Sequence, residues 1–312
     1  MKISVILCTY NRGESLRITM DSLVSQENID SFDWEIIIAD NNSSDQTKEI
    51  IESYKDNFGS RLRYIFESKK GKCHALNKAI KESQGDIIAL SDDDVIMDKS
   101  WLQNIHKFAQ ENDFDAFGGR ILPAYPENAP RWVTENIDIL CGAIVVYDYG
   151  TDIKPYDLVS MAPLVGANMV VKRKVFDEIG LYNVNLGPGA GTLGDDTEFC
   201  RRLEAANKKI YYFGDALVWH PVARERMTLN YITSWTMAVG RYLVVKKSGK
   251  VDENIVWYFG MPRYLFGRML KNFLFLLIQF PFIRKFLRRW IDIFLDVGML
   301  QQYRRYYKKV HF

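Results

Sequence analysis

Asp92, Asp93 and Asp94 form an unbroken acidic triplet directly after the apolar run Ile87-Ile88-Ala89-Leu90. Adjacent carboxylates repel one another and favour solvent, yet these follow a segment that reads as a buried strand. The C-terminal edge of the strands is where open α/β sheets bind ligands. Carboxylates at i and i+2 of an extended segment share a face. Asp92 and Asp94 can therefore meet one hard cation, able in turn to hold a diphosphate, while Asp93 points away. A charged turn after a strand would need the same residues. An EF-hand loop does not fit, because counting from Asp92 places Met97 at the required glycine and Gln103 at the bidentate glutamate.

Four other places carry side chains of the same kind. The first strand-like run ends in Thr9-Tyr10-Asn11-Arg12-Gly13, which is neither the G-x-G-x-x-G of dinucleotide folds nor a phosphate-binding P-loop. The second ends in Asp40-Asn41-Asn42-Ser43-Ser44-Asp45; Asp40 could accept hydrogen bonds from an imide or a ribose, or simply close a turn. Gly71-Lys72-Cys73-His74 opens a helix whose first N–H groups could face phosphate, with Lys72 either the cation there or a solvated lysine. Asp195 and Asp196 begin another helix, where the macrodipole favours acids. Capping explains one of them; it does not explain the preceding Gly187-Pro188-Gly189-Ala190-Gly191, a composition suited to closing over a ligand. His220, one of four histidines, ends the run Leu217-Val218-Trp219.

The elements that must position these residues alternate. Ile3–Cys8, Trp34–Ala39, Leu62–Phe66, Asp86–Leu90 and Phe114–Ile121 read as buried strands. Ser15–Gln26, Asp45–Asn57, Lys72–Ser83 and Lys99–Glu111 show helical spacing, with Ser44-Asp45 and Ser100 placed to cap. The alternation predicts an α/β fold with a mainly parallel sheet flanked by helices. From Leu122 to Ser160 it breaks down, with four prolines and irregular aromatic residues. An apolar patch at Leu164–Val171, helices from Arg173 and Asp195, and strands at Ile210–Phe213 and Leu217–Trp219 complete the unit. From Thr228 the pattern is helical and aromatic. The expected domains are residues 1–225, carrying the site, and a helical appendage over 226–312.

Composition is that of a globular protein with an ample core, at 47% hydrophobic and 26% charged. The net charge of +2 hides a split: residues 262–312 hold 11 Lys/Arg and 2 Asp/Glu, a local charge of +9. Such a tail suits an anionic surface. Its longest apolar stretch, Phe273 to Ile283, contains Pro281 and falls well short of the roughly 20 residues of a membrane span. With Arg284-Lys285 and Arg288-Arg289 interleaved among apolar residues, it reads as an interfacial helix or as a packed helical subdomain. No nucleic-acid motif accompanies the charge. Cys8, Cys73, Cys141 and Cys200 are scattered, as reduced thiols in a cytoplasmic protein would be, and the N-terminus lacks secretory features. The expected location is the cytoplasm, peripheral on the inner face of the cell membrane.

Together these segments resemble the family 2 inverting glycosyltransferases of GT-A fold over about residues 1–225. The resemblance lies in Val5 to Arg12, Asp40 to Thr47, Gly71 to Asn77, the D-x-D element Asp92-Asp93-Asp94, Gly166-Ala167-Asn168-Met169, and Gly194 to Phe199. Where the family more often carries Glu-Asp, this chain has Asp195-Asp196. The resemblance implies that Thr9, Tyr10, Arg12 and Asp40 cradle the nucleoside, with Lys72 and Asp93 completing the nucleotide-sugar set. It puts Asp92 beside the ribose and, with Asp94 and His220, around Mg2+ or Mn2+. It makes Asp196, with Asp195 beside it, the catalytic base, and lines the sugar or acceptor site with Asn168. The implied reaction moves a sugar with inversion from a nucleotide-sugar donor, UDP-linked by expectation, to a glycan or lipid-linked acceptor. The rivals are a nucleotidyltransferase, which would want a basic glycine-rich loop where Arg12-Gly13 stands, and a catalytically silent sugar-nucleotide-binding module, which would not need both acidic pairs.

Overall fold

The computed structural model describes residues 1–157, 159–190, 193–246, 256–258 and 261–311. Gly191, the end of the expected glycine-rich loop, lies outside the described residues, as do 247–255 and 312 of the tail. In chain order the first elements are β1 (Ile3–Thr9), α1 (Gly13–Val24), β2 (Trp34–Asp40), α2 (Thr47–Ser53), α3 (Lys55–Phe58) and β3 (Leu62–Phe66). Then come α4 (Lys72–Glu82), β4 (Ile87–Asp92), β5 (Ile96–Met97), α5 (Trp101–Glu111), β6 (Ala116–Ala124), α6 (Arg131–Thr134) and α7 (Ile137–Ile144). β7 (Ile153–Pro155), β8 (Asn168–Lys172), α8 (Arg173–Ile179), α9 (Asp195–Ala205) and β9 (Ile210–Pro221) follow.

The main sheet runs β3-β2-β1-β4-β8-β6-β9-β5, with β7 paired on β9. β1 to β4 are mutually parallel, and β6 and β9 run with them; β8 is antiparallel to β4 and β6, and β5 and β7 to β9. The sheet is thus mainly parallel, as the alternation requires. β1 and β2 are buried along their whole length because helices cover both faces, which is why they read as continuous apolar runs.

Three local expectations are corrected. The helix expected over Asp45–Asn57 divides at Tyr54, whose hydroxyl is bound by the Arg17 carbonyl and Asp21 on α1. Ser100 precedes α5 without capping it through its side chain; Asp98 Oδ1 instead accepts the Ser100 N–H at 2.9 Å. The two strands expected at Ile210–Phe213 and Leu217–Trp219 are one, β9, bulged so that Gly119 and Arg120 of β6 face Phe213 and Leu217. A bulge inserts unpaired backbone, which the sequence reads as a break.

The bulge is held by Asn168. Its buried amide donates to the Arg120 carbonyl (3.0 Å) and the Ala216 carbonyl (2.7 Å) and accepts from Trp101 Nε1 (2.9 Å). Gly119 lies beneath it, and a Cβ there would stand 2.3 Å from Asn168 Nδ2. Asn168 therefore spends its polar groups inside the sheet.

The chain divides into one unit of residues 1–124 and 145–221 and another of 125–144 and 222–312. The domain boundary expected at 225/226 shifts slightly, and the irregular stretch after Leu122 contributes α6 and α7 to the second unit. The reason is packing: Gly142 of α7 lets the Trp235 ring approach closely, so the apolar face of α7 is covered by helix and not by sheet. The second unit continues with α10 (Leu229–Lys246), a short β10–β11 pairing (Trp257–Tyr258 with Met261–Pro262), α11 (Arg263–Gln279) and α12 (Ile283–His311). α10 and α12 cross where Gly240 meets the Leu295 carbonyl and Gly298 meets the Met237 carbonyl. Among the described residues no helix is long and apolar enough to cross a membrane.

Replacing Asn168 by Ala should leave two carbonyls and the Trp101 N–H unsatisfied in the core. At about 1–3 kcal/mol for each buried orphan, less what water recovers, we expect a loss of about 3 kcal/mol. Urea unfolding should show a lower midpoint at unchanged slope.

Candidate active site

The first unit collects its acids at the C-terminal edge of the parallel strands. β4 ends at Asp92, and Asp93-Asp94 form a turn leading into β5, so the triplet is not extended throughout. β5 pairs with β9, bringing Ile96 opposite Trp219 and His220 near Asp94. His220 is buried; its Nε2 lies 3.4 Å from Asp94 Oδ1, and its Nδ1 lies 3.1 Å from the Pro221 carbonyl. A proton on Nδ1 satisfies that carbonyl and turns the Nε2 lone pair toward the carboxylate. One oxygen each of Asp92 and Asp94 and a nitrogen of His220 lie within 4.8 Å of one another. Two carboxylates and an imidazole lone pair converging in this way form a donor set for a divalent cation, and these residues fit Mg2+ or Mn2+.

Two cations offset the acids. Lys72, at the start of α4, bonds Asp92 at 2.5 Å, and Asp92, Asp196 and Asp195 together raise its affinity for protons well above that of a free lysine against the opposing effect of burial. Arg12 bonds Asp94 at 2.8 Å and Asp93 at 3.1 Å. Asp93 faces away from the cation set into the protein. Burial pushes it up to about 6, held back by Thr9 and Arg12 and raised further by its two acidic neighbours.

The pair opening α9 is held by glycines. Asp196 Oδ2 accepts the Gly166 N–H at 2.8 Å, and a Cβ on Gly166 would lie 2.8 Å from Oδ1. Burial and the adjacent Asp195 charge push Asp196 up to about 7, while Lys72 and the Gly166 N–H pull it down. Asp195 packs under Gly187, whose φ of +88° is open to glycine and where a Cβ would stand 2.7 Å from Asp195 Oδ2. The loop then meets α4: the Lys72 N–H donates to the Pro188 carbonyl at 3.0 Å, and Gly189 leaves only 2.9 Å between its virtual Cβ and the Gly71 Cα. The glycine-rich loop thus joins Lys72 to the two acids.

Three loops are stitched together around the nucleoside positions expected from sequence. Asp40 is buried, one oxygen accepting the Ser43 N–H and the other the Tyr64 hydroxyl, both at 2.9 Å. Asn41 binds the Glu67 and Lys69 carbonyls and accepts the Gly71 N–H, tying the loop after β2 to the start of α4. Asn11 exchanges bonds with Ser43 and Ser44. Thr9 is buried and Tyr10 exposed at this edge. The structure thus gathers Arg12, Lys72, Asp92, Asp93, Asp94, Asp195, Asp196 and His220. Gly166, Gly187 and Tyr64 complete the supports. The two glycines stood in motifs already recognised by sequence, but their contacts with the acids depend on segments distant in the chain.

A mainly parallel sheet of this order, flanked by helices and followed by C-terminal helices, matches the GT-A fold. The sequence model of glycosyl transferase family 2 matches residues 4–180, and the chain belongs to that family. It is similar to the glucosyl-dolichyl phosphate glucuronosyltransferase of Haloferax volcanii, 25% identical over 74% of this chain and 73% of that protein. It is also similar to the succinoglycan biosynthesis protein ExoM of Rhizobium meliloti, 23% identical over 74% of this chain and 71% of that protein. Among solved structures, a mannosyltransferase of Pyrobaculum calidifontis in complex with GDP-Man and Mn2+ aligns over 99% of this chain and 74% of its own, at TM-score 0.56 and 15% identity. TarS 1-349 of Staphylococcus aureus in complex with UDP-GlcNAc aligns over 100% of this chain and 93% of its own, with the same TM-score and identity.

Gly166→Ala should force its new methyl against the Asp196 carboxylate and cost about 1–3 kcal/mol, as overpacking does. In an Asp196→Ala background the same change should cost far less. A double-mutant cycle by chemical denaturation measures that coupling, and additive effects would contradict the contact.

Proposed function

We propose that this glycosyltransferase moves a sugar with inversion from a nucleoside diphosphate donor to a hydroxyl of a glycan or lipid-linked acceptor. Its part would be in polysaccharide or glycolipid assembly, with UDP as the donor nucleotide and Mg2+ or Mn2+ as cofactor. The observation that carries this reading is the link between two different acidic groups through one lysine. Asp92, Asp94 and His220 offer a cation site, Asp196 has a proton affinity near neutrality, and Lys72 lies within the field of both. A glucosyl-dolichyl phosphate glucuronosyltransferase and a succinoglycan biosynthesis protein among the relatives support the acceptor class. UDP as the donor nucleotide is supported by the neighbour in complex with UDP-GlcNAc, and GDP is its rival through the neighbour in complex with GDP-Man.

In this mechanism the acceptor hydroxyl attacks the anomeric carbon from the face opposite the diphosphate. Asp196 takes the hydroxyl proton as the new C–O bond forms and the bond to the phosphate oxygen breaks, releasing the nucleoside diphosphate. A single displacement inverts the carbon and needs no covalent sugar–enzyme intermediate. Asp92, Asp94 and His220 would hold the metal ion, which when bound offsets the negative charge gathering on the leaving diphosphate. Lys72 and Arg12 add positive charge at the same edge. Asp195 keeps Asp196 basic by like-charge repulsion, and the Gly166 N–H fixes the direction of its carboxylate. Asp40, Thr9 and Tyr10 would shape the nucleoside end of the site.

Asp196→Asn should keep donor and metal affinity and lower the transfer rate about 10²–10⁴-fold, the usual contribution of a general base. The base works only when ionised, so kcat in the parent should rise about tenfold per pH unit below pH 7 and level off above it. A profile flat from pH 5 to 8 with chemistry rate-limiting would reject Asp196.

Asp94→Ala removes one cation ligand and should abolish the rise in unfolding temperature that Mn2+ with a UDP-sugar gives the parent. At 100 times the dissociation constant that stabilisation is about 2.7 kcal/mol. A panel of UDP- and GDP-sugars in the same assay identifies the donor, and equal stabilisation of the variant would remove Asp94 from the metal set.

A further inference from the structure

α11 leaves a broad apolar face outward although its inward side, beside Leu265, Met269 and Leu276, takes two amides. The side chains it turns inward fall at Leu265, Met269, Asn272, Leu276 and Gln279, and two of those five are amides. Asn272 is buried and accepts a hydrogen bond from Arg289 of α12 at 3.1 Å. The outward face carries Leu270, Phe273, Leu274, Leu277 and Ile278, exposed to between 51% and 72%, and the turn into α12 adds Phe280 (71%) and Phe282 (59%). A surface helix in water normally turns its apolar stripe inward and its polar residues out. A continuous apolar face of this kind marks an interaction surface.

We propose that α11 and the α11–α12 turn lie in the interface of an anionic lipid bilayer, with the outward face immersed among the acyl chains. The length argues for lying in the membrane surface and not crossing it. Its 17 residues span about 26 Å, yet Arg263, Arg268 and Lys271 interrupt it, and it meets no criterion for a span. The charge around the face selects the lipid. Lys271, Lys285 and Arg288 are exposed on α11 and the first turns of α12, Arg284 there is paired with Asp138, and the region from 262 to 312 carries a net +9. Lys285 sits 5.1 Å from the centre of the Phe282 ring, so charge and apolar surface are presented side by side, as at a headgroup boundary. Behind them a cleft of about 400 Å³ between α7, α11 and α12 is lined by Lys285, Arg288 and Arg289, with Asp292 3.6 Å from Arg289. A second copy of the chain is disfavoured as the occupant, because a symmetric pairing of this face would set like cations against one another.

The test is sedimentation of the full chain with vesicles of equal parts phosphatidylglycerol and phosphatidylcholine, and with phosphatidylcholine alone. The parent should pellet with the anionic vesicles and much less with the neutral ones. The triple variant Leu274→Gln, Leu277→Gln, Ile278→Gln changes only exposed side chains and should lower the partition coefficient at least tenfold. Lys285→Gln with Arg288→Gln should lower it about fivefold per charge at low salt, and the loss should shrink as salt rises. Both variants should keep the parent's unfolding temperature and donor hydrolysis. Three results would overturn the proposal: no pelleting of the parent, equal partition of the apolar triple variant, or a lipid-free dimer that the triple variant dissolves.

Discussion

Everything at the candidate site depends on keeping several carboxylates together at one edge of a sheet without their mutual repulsion unfolding it. Asp92, Asp93, Asp94, Asp195 and Asp196 gather beside two cations, Lys72 bonding Asp92 and Arg12 bonding Asp93 and Asp94. Burial makes the arrangement costlier, and the protein responds by pushing Asp93 and Asp196 toward neutrality while holding Lys72 firmly protonated. The remaining negative charge converges on Asp92, Asp94 and His220, which is where a divalent cation would be most favourable. In the proposed function, the same imbalance that burdens folding would favour a bound cation and the diphosphate it would hold.

The scaffold answers this constraint with glycine and with backbone donors. Gly166 and Gly187 are places where a side chain would displace a carboxylate, and Gly119 is the place where one would displace the amide that closes the β6–β9 bulge. Each gives up the stiffness and packing of a side chain to let a polar group approach the main chain. The consequence is preorganisation. Asp196 is oriented by an N–H on one side and a charge on the other before any substrate enters, so little reorganisation is left to be made during reaction. The loop from Gly187 to Ala190 adds a direct route by which movement over the site would shift Lys72, since Pro188 accepts the Lys72 N–H.

The second unit obeys a different balance. Its helices α10 and α12 approach closely through Gly240 and Gly298, and Asp296, fully buried, is matched by Arg268 of α11. The polar groups are thus drawn into the helical unit while apolar side chains of α11 remain outside. Such an arrangement is unfavourable for a helix surrounded by water and favourable for one whose outer face meets an apolar phase.

The alternation of strands and helices, the mainly parallel sheet and the acidic motifs followed from sequence alone, because burial on both faces makes a strand continuously apolar and period 3.6 marks its helices. Sequence also singled out the five acids and the lysine that the structure brings together, because carboxylates beside glycines at strand and helix ends stand out from a packed core. It could not find their partners. That His220 meets Asp94 depends on a two-residue strand, β5, pairing with β9 more than a hundred residues later. That Asn168 braces a bulge depends on β8 entering the sheet against its neighbours. Residues 125–144 joined the helical unit because their apolar face found helices to cover it, a choice that local pattern leaves open. Sequence specified which side chains could react; long-range strand pairing decided which of them meet, because register between distant segments is set by the whole packed core and not by any one of them.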